Sequence, residues 1–355
     1  MERYGNPSSA HSLGKDTRAI VNSARESVTD LLGASTPGEI VFTSGGTESD
    51  NWAILGALAA QAEKNHIVTT RVEHEAVRKL CEQLETRGTL VTWIDVDTRG
   101  RLDLDQLQSS LGQYTAIVSV MMANNETGVI FPVAEVAEMV KEHSDALFHV
   151  DGVNAAGKIP IDLKNTNIDL FSISAHKFHG PKGVGALYVR DGVNLPSHQI
   201  GGGQEFGRRA GTEAVHQIAG LGAAAEFARD LSQMERVKKL RDRLETSILN
   251  SFDIATVNGD IEQRLPNTSN ISFENLNGEM ILHYLDEAGI CVSTGSACNS
   301  ESKVGSPVLA AMDVPYSRAM GSIRFSLGRF NTDEEIDRTI DELGGVIESL
   351  RNRAT

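Results

Sequence analysis

The chain has 355 residues, 40% of them hydrophobic, with 33 glycines and a formal net charge of −15. That length exceeds one typical domain core, so a larger and a smaller domain are expected, and the acidic balance works against phosphate-driven nucleic-acid binding. No apolar run approaches the ~18 residues of a membrane span. The opening "MERYGNPSSAHSLG" lacks the apolar stretch of a secretory signal, and three unevenly spaced cysteines read as free thiols of a reducing, cytoplasmic compartment.

Over the first two hundred residues strand-like and helix-like runs alternate. "EIVFTS", "HIVTT", "LVTWIDV", "TAIVSVMM", "ALFHVDG", "DLFSIS" and "GALYVR" read as strands. Between most of them lie amphipathic helices such as "VAEVAEMVKEH", with Val133, Val136, Ala137 and Val140 on one face. The alternation predicts an α/β large domain over residues 1–230, with a mostly parallel seven-stranded sheet covered by helices. Residues 231–355 read as a smaller α+β domain. It has a long charged helix through "MERVKKLRDRLETSIL" and strands near "IATVNG" and "TSNISF". Its final helix opens with Thr332 and Glu335 in capping-box spacing and buries Ile336, Ile340, Leu343, Ile347 and Leu350.

In open α/β sheets ligands collect beyond the carboxyl ends of the strands, so the residues after each strand carry the information. "SGGTESDN" follows the first strand. Gly45, Gly46 and Thr47, leading into a helix, can cradle an anion with backbone N–H groups. An ordinary strand-to-helix turn fits the same residues, and neither a Walker loop nor a GxGxxG fingerprint is present. "RVEHEAV" puts His74 near a helix start, a place where histidine is commonly a cap. "ANNETG" offers Asn124 and Asn125 to a hydroxyl or carbonyl. Asp151 ends an apolar strand, and "SISAHKFHGPKG" sets Lys177 after another, beside Ser174 and His176.

A lysine held at a strand end suits a Schiff base with an aldehyde cofactor. Pyridoxal 5'-phosphate (PLP) requires an imine-forming lysine, a carboxylate for the pyridinium nitrogen, a phosphate cradle and an aromatic face over the ring. Lys177, Asp151, the loop of residues 44–47 and His74 supply them, the competing reading being a plain Asp151–Lys177 salt bridge. His176 and His179 have no matching carboxylate or cysteine cluster, so no metal site is expected. The three cysteines differ. Cys81 lies on a helical face with Val77, Leu80 and Leu84, and Cys291 in "GICVS" reads as a strand residue. Cys298 in "STGSACNSES" has small and hydroxyl-bearing neighbours that predict an exposed loop, where a reactive thiol can reach a substrate.

Taken together, "YGNPSSAHSLG", "FTSGGTESDN", "EHEAV", "NNETG", "HVDG", "SAHKFHGPKG", "RRAGTE", "STGSAC" and "GSIRFSLGRF" resemble the cysteine desulfurases of the NifS/IscS type, which are class V aminotransferase-like, fold-type I PLP enzymes. The likeness runs over nearly the whole chain. It implies that Lys177 carries PLP, Asp151 pairs with the pyridine nitrogen, and His74 stacks on the ring and assists proton transfer. Gly46, Thr47, Ser174 and His176 would hold the phosphate, joined by Thr212 from the second subunit of a homodimer. Asn125 would contact the phenolic oxygen and also help bind the substrate, and Asn154 would also lie at the cofactor. Arg324 would clamp the carboxylate of the substrate L-cysteine. Cys298 would take the sulfur as a persulfide, leaving alanine, and pass it to an acceptor protein such as an iron–sulfur scaffold.

Departures from the family pattern accompany the matches. The family's usual upstream strand and "DNNATT"-like turn are not in this chain. Asn154 stands where the family usually has Gln, Lys303, Val304 and Gly305 replace "LEP", and Phe206 replaces a usual Arg. Two alternatives follow. A different PLP lyase or aminotransferase would share Lys177 and Asp151 without needing Cys298, and a catalytically impaired scaffold would need neither.

Overall fold

The computed structural model describes residues 4–294 and 305–354. Cys298, the expected sulfur acceptor, and Lys303 and Val304 lie outside the described residues. The chain divides into two units, one of Met1–Ile94, Leu104–Met122 and Phe131–Leu231, the other of Asp95–Asp103, Ala123–Ile130 and Ser232–Thr355. The short segments 95–103 and 123–130 thus group with the later part of the chain, something the strand–helix alternation does not signal.

In the first unit the elements run α1 (Ser12–Leu32), β1 (Ile40–Thr43), α2 (Gly46–Ala60), β2 (His66–Thr70), α3 (Glu75–Glu85) and β3 (Leu90–Ile94). They continue with α4 (Leu104–Ser110), β4 (Thr115–Ser119), α5 (Val133–His143), β5 (Leu147–Asp151), β6 (Leu170–Ser174), β7 (Gly185–Val189) and α6 (Val215–Ala228). All seven expected strands form, in the order β1-β7-β6-β5-β4-β2-β3. The five from β6 to β3 are parallel, and β7 runs antiparallel to both of its neighbours. Strands β4, β6 and β7 are buried at every position, the mark of a sheet covered on both faces. Helix α2 is apolar almost all round and seals one face, with Trp52, Ala53, Ile54 and Ala57 in a core that includes Val41, Ile67, Ile117 and Leu187. Cys81 is fully buried in that core, and burial pushes its thiol up to about 12, so it stays protonated and inert.

The second unit contains α7 (Ser232–Ser251), β8 (Ala255–Val257), β9 (Thr268–Phe273), α8 (Gly278–Glu287), β10 (Ser293–Thr294), α9 (Pro307–Ala311), α10 (Tyr316–Ala319), β11 (Ser322–Ser326) and α11 (Asp333–Ala354). Its four-stranded antiparallel sheet has the order β10-β11-β9-β8. Helices α7, α8 and α11 cover that sheet around Leu240, Leu244, Ile271, Phe273, Ile323 and Leu343. Cys291 is not a strand residue, contrary to the expectation from "GICVS". Pairing with β11 begins only at Ser293, so Cys291 stays exposed, its thiol 3.9 Å from Asp286 Oδ1.

The start of α11 is capped as its sequence predicts. The Glu335 N–H donates to Thr332 Oγ1 at 3.3 Å and the Thr332 N–H donates to Glu335 Oε2 at 3.2 Å. Ile336, Leu343 and Ile347 are buried, and Ile340 and Leu350 pack against them. Leu343→Ala is therefore expected to cost about 3 kcal/mol by opening a cavity, and Thr332→Ala about 1 kcal/mol by freeing a capped N–H. Urea denaturation of the two variants measures both losses.

Candidate active site

Because β2, β4, β5 and β6 are parallel, their carboxyl ends lie along one edge of the sheet, and β1 is aligned with them through β7. Register brings the loops together. Gly185 of β7 pairs with Thr43 at the end of β1 and with Ser174 at the end of β6, while Asp151 pairs with Ser172. The turn after β1 and the turn bearing Lys177 therefore start side by side.

Gly45 caps α2 with φ 152° and ψ −175°, backbone angles that a side chain disfavours. A Cβ on it would lie 3.5 Å from Ser174 Oγ, and one on Gly46 would lie 2.6 Å from Val153 Cγ2. The first N–H groups of this 15-residue helix have no partner within the helix and can meet an anion, and exposed Thr47 stands in its first turn. Ser174 Oγ lies 3.0 Å from His176 Nδ1. Burial and the charges of Lys177, Lys182 and Lys158 push His176 below its usual value, so it meets an anion as a neutral hydrogen-bonding ring. Lys177 sits in the single turn Ala175–Phe178 directly after β6, exposed.

Asp151 is 5% exposed, and its Oδ1 accepts from the Val153 N–H at 2.9 Å. Burial raises its proton affinity above the usual carboxylate range, opposed by that hydrogen bond and by the positive charge of Lys177. A cationic ring nitrogen placed beside it would complete what that charge begins. His74 is the N-cap of α3, with Nδ1 accepting from the Ala76 N–H at 3.2 Å. The neutral ring therefore carries its proton on Nε2, which is the end left to act elsewhere. An anion cradle, a strand-end carboxylate, an oriented histidine and an exposed lysine on one sheet edge match the donor set that PLP requires.

Asn154 Oδ1 is 3.4 Å from Lys158 Nζ, so part of its hydrogen-bonding capacity is directed there. Thr212 is exposed and lines a cavity of about 390 Å³ with Tyr4, Asn6, Thr17, Ile20 and His216, a lining that includes none of His74, Asp151 and Lys177. In the second unit Arg324 Nη1 donates to the Asn125 carbonyl at 2.6 Å. Asn125 Oδ1 is buried without a hydrogen-bond partner among the described residues.

Several charged side chains that strand-end reasoning passes over are buried in the first unit. Asp50 and Glu73 stand inside the quoted motifs but drew no role; Ala53 and Ala57, three and seven residues after Asp50, already mark its helical face as buried. Arg25 forms a two-pronged pair with Glu205 at 2.8 Å. Glu205 and Phe206 have φ 47° and 61°. The Arg25 and Arg208 guanidiniums lie 5.0 and 5.3 Å from the Phe206 ring, which gives that unusual Phe its local partners. Arg209 pairs with Glu48 at 2.9 Å; burial pushes Glu48 up, but hydrogen bonds from Arg209 and Ser44 outweigh it and hold the carboxylate low.

The chain is similar to known proteins over nearly its whole length. The aminotransferase class-V family model matches residues 1–339. A cysteine desulfurase of Nostoc sp. is 54% identical over 352 residues, covering 98% of this chain and 87% of that protein. A solved structure described as a NifS-like protein is 40% identical with a TM-score of 0.92, covering 98% of this chain and 93% of its own. Another, described as SspA in complex with cysteine, is 34% identical with a TM-score of 0.82, covering 93% of each chain.

Proposed function

This chain belongs to the aminotransferase class-V family, among its NifS-type cysteine desulfurases, and from that premise we infer that it is a PLP-dependent enzyme taking sulfur from L-cysteine. The observation that carries this reading is the gathering of Gly45, Gly46, His74, Asp151, Ser174 and Lys177 on one sheet edge. PLP, when bound, supplies an electron sink that weakens the Cα–H and Cβ–S bonds of the amino acid.

The residues have separable tasks. Lys177 holds the cofactor aldehyde and moves a proton at the substrate's Cα. Asp151 keeps the ring nitrogen protonated by giving it an anion in a low-dielectric site. His74 would offer its aromatic face to the ring and exchange a proton through Nε2, since Nδ1 is engaged by the helix. The open N-terminus of α2, with Gly46 and Thr47, holds the phosphate together with Ser174 and His176. Asn125 and Asn154 contact cofactor oxygens, and Arg324 takes the substrate carboxylate in a two-pronged grip. Cys298 attacks the substrate sulfur as a thiolate. The Cβ–S bond breaks, an S–S bond forms, and the electron pair left on Cβ takes a proton, so L-cysteine and one thiol become L-alanine and one persulfide. An acceptor protein such as an iron–sulfur scaffold then receives the sulfur.

Thr212 acts in this reading from the second subunit of a homodimer, which accords with its place in a cavity apart from His74, Asp151 and Lys177. Sedimentation of the PLP-saturated enzyme is expected to show a dimer, and incubation with L-cysteine and a thiol should release alanine and sulfide in equal amounts. An active, PLP-saturated monomer would remove Thr212 from the site; absence of alanine would remove the desulfurase reading.

A further inference from the structure

Three carboxyl groups share the interior of the first unit. Asp50 on α2, Glu73 after β2 and Asp151 at the end of β5 are 1%, 3% and 5% exposed. Asp50 lies in the fields of Asp151 and Glu73, and Glu73 in that of Asp151. Among the described residues no group of His, Cys, Asp and Glu is arranged to hold a metal ion, so their charges must be managed by protons or by neighbouring cations.

Their surroundings are unequal. Asp151 has the Val153 N–H as a donor and the positive charge of Lys177 near it. Glu73 Oε1 accepts from the Thr70 hydroxyl at 2.8 Å and the Met121 N–H at 3.0 Å, while its Oε2 is buried and meets no donor among the described residues. Asp50 Oδ1 is likewise buried without a hydrogen bond, although Ser172 hydrogen-bonds the carboxyl and partly offsets its burial. It lies 3.5 Å from His149 Nε2, on a ring fixed between Ser119 Oγ and Ser172 Oγ at 2.9 Å each. Burial pushes His149 down to about 3, so that ring is neutral and offers Asp50 no countercharge. An ionised oxygen sealed from water without a donor is among the costliest groups a fold can bury, and a bound proton removes most of that cost.

We propose that Asp50 and Glu73 are positioning residues that work in the uncharged form, surrounding Asp151 with polar groups that add no second negative charge. The single anion of the cluster is thereby kept on Asp151 for the ring nitrogen of the cofactor, a consequence that rests on the role given to Asp151 above.

Glu73 is expected to charge within a working pH range. Burial and the field of Asp151 push it up to about 8, against the hydrogen bonds from Met121 and Thr70. The titratable groups around it are Asp50 from α2, Asp151 from β5 and Cys81 from α3. Burial also raises Asp50, and Cys81 stays a thiol. Ionisation of Glu73 places a second anion near Asp151 and raises the proton affinity of Asp151, weakening its hold on the ring nitrogen. The stability sign follows from the raised folded value: the contribution of Glu73 is largest at acid pH and is lost as pH rises towards 8.

Two readouts test this on the full chain. In the PLP-loaded enzyme, the cofactor absorbance followed from about pH 6 to about pH 9.5 should inflect near 8 in the wild type and not in Glu73→Gln. Glu73→Ala should lower kcat about tenfold and Glu73→Gln should recover most of it, since only the amide reproduces a neutral acid in shape and polarity. In the cofactor-free protein, the infrared C=O stretch of protonated carboxyl groups should be present at neutral pH and should weaken in Glu73→Gln and in Asp50→Asn. A wild type without that band, or a folded Glu73→Gln as impaired as Glu73→Ala, would overturn the proposal. If the Gln variant does not fold, the infrared titration of the wild type decides alone. Full activity in Asp151→Asn would instead sink the role of Asp151 and leave the infrared result standing.

Discussion

Lys177→Ala is expected to abolish alanine formation from L-cysteine, a loss of roughly a thousandfold or more, because one amine serves both as the attachment point and as the proton carrier at Cα. Borohydride reduction of the PLP-loaded wild type should fix the cofactor on the peptide containing Lys177, and the variant should carry no fixed cofactor. Phosphate binding need not vanish with the lysine. The cradle at the N-terminus of α2 is made by Gly45, Gly46 and backbone N–H groups, with Ser174 and His176 beside it. A variant that still binds PLP reversibly but neither fixes it nor turns over would separate the two functions. Label appearing on another lysine of the wild type would refute the assignment.

Cys298→Ser should be nearly as damaging by a different route. Nothing in cofactor binding uses the thiol, so the variant should take up PLP normally and its spectrum should still respond to L-cysteine. What it loses is the acceptor. A serine hydroxyl is far less acidic than a thiol and attacks sulfur poorly, so alanine release should fall by roughly a thousandfold. Cys81→Ser should leave the chemistry in place while costing on the order of 1–3 kcal/mol for a hydroxyl buried in an apolar core. Cys291→Ser should cost little, since that thiol is exposed. Mass spectrometry after a pulse of L-cysteine should find one added sulfur on the peptide containing Cys298. Unchanged alanine release by Cys298→Ser, or added sulfur only on Cys81 or Cys291, would reject the mechanism.

Much of this molecule is written locally in its residues. Seven short apolar runs become the seven strands because β-branched and aromatic residues between turn signals have few other ways to bury themselves. Val133, Val136, Ala137 and Val140 bury as their spacing requires, and Thr332 with Glu335 caps α11. Asp151 and Lys177 stand out for the same reason, since each breaks an apolar strand pattern at its carboxyl end. Other features depend on contacts between distant segments. The pairing of Gly185 with both Thr43 and Ser174 sets the phosphate cradle beside the lysine turn, and no local pattern encodes strand order. Cys291 reads as a strand residue by its apolar neighbours yet stays exposed, because β11 offers pairing only from Ser293 onward. Asp50 lies on a helical face that its apolar neighbours mark as buried, and Glu73 looks like an ordinary helix-start acid until packing removes its water. Their protonation depends on the groups the fold brings near them, which come from β2, β5, β6 and the turn after β4.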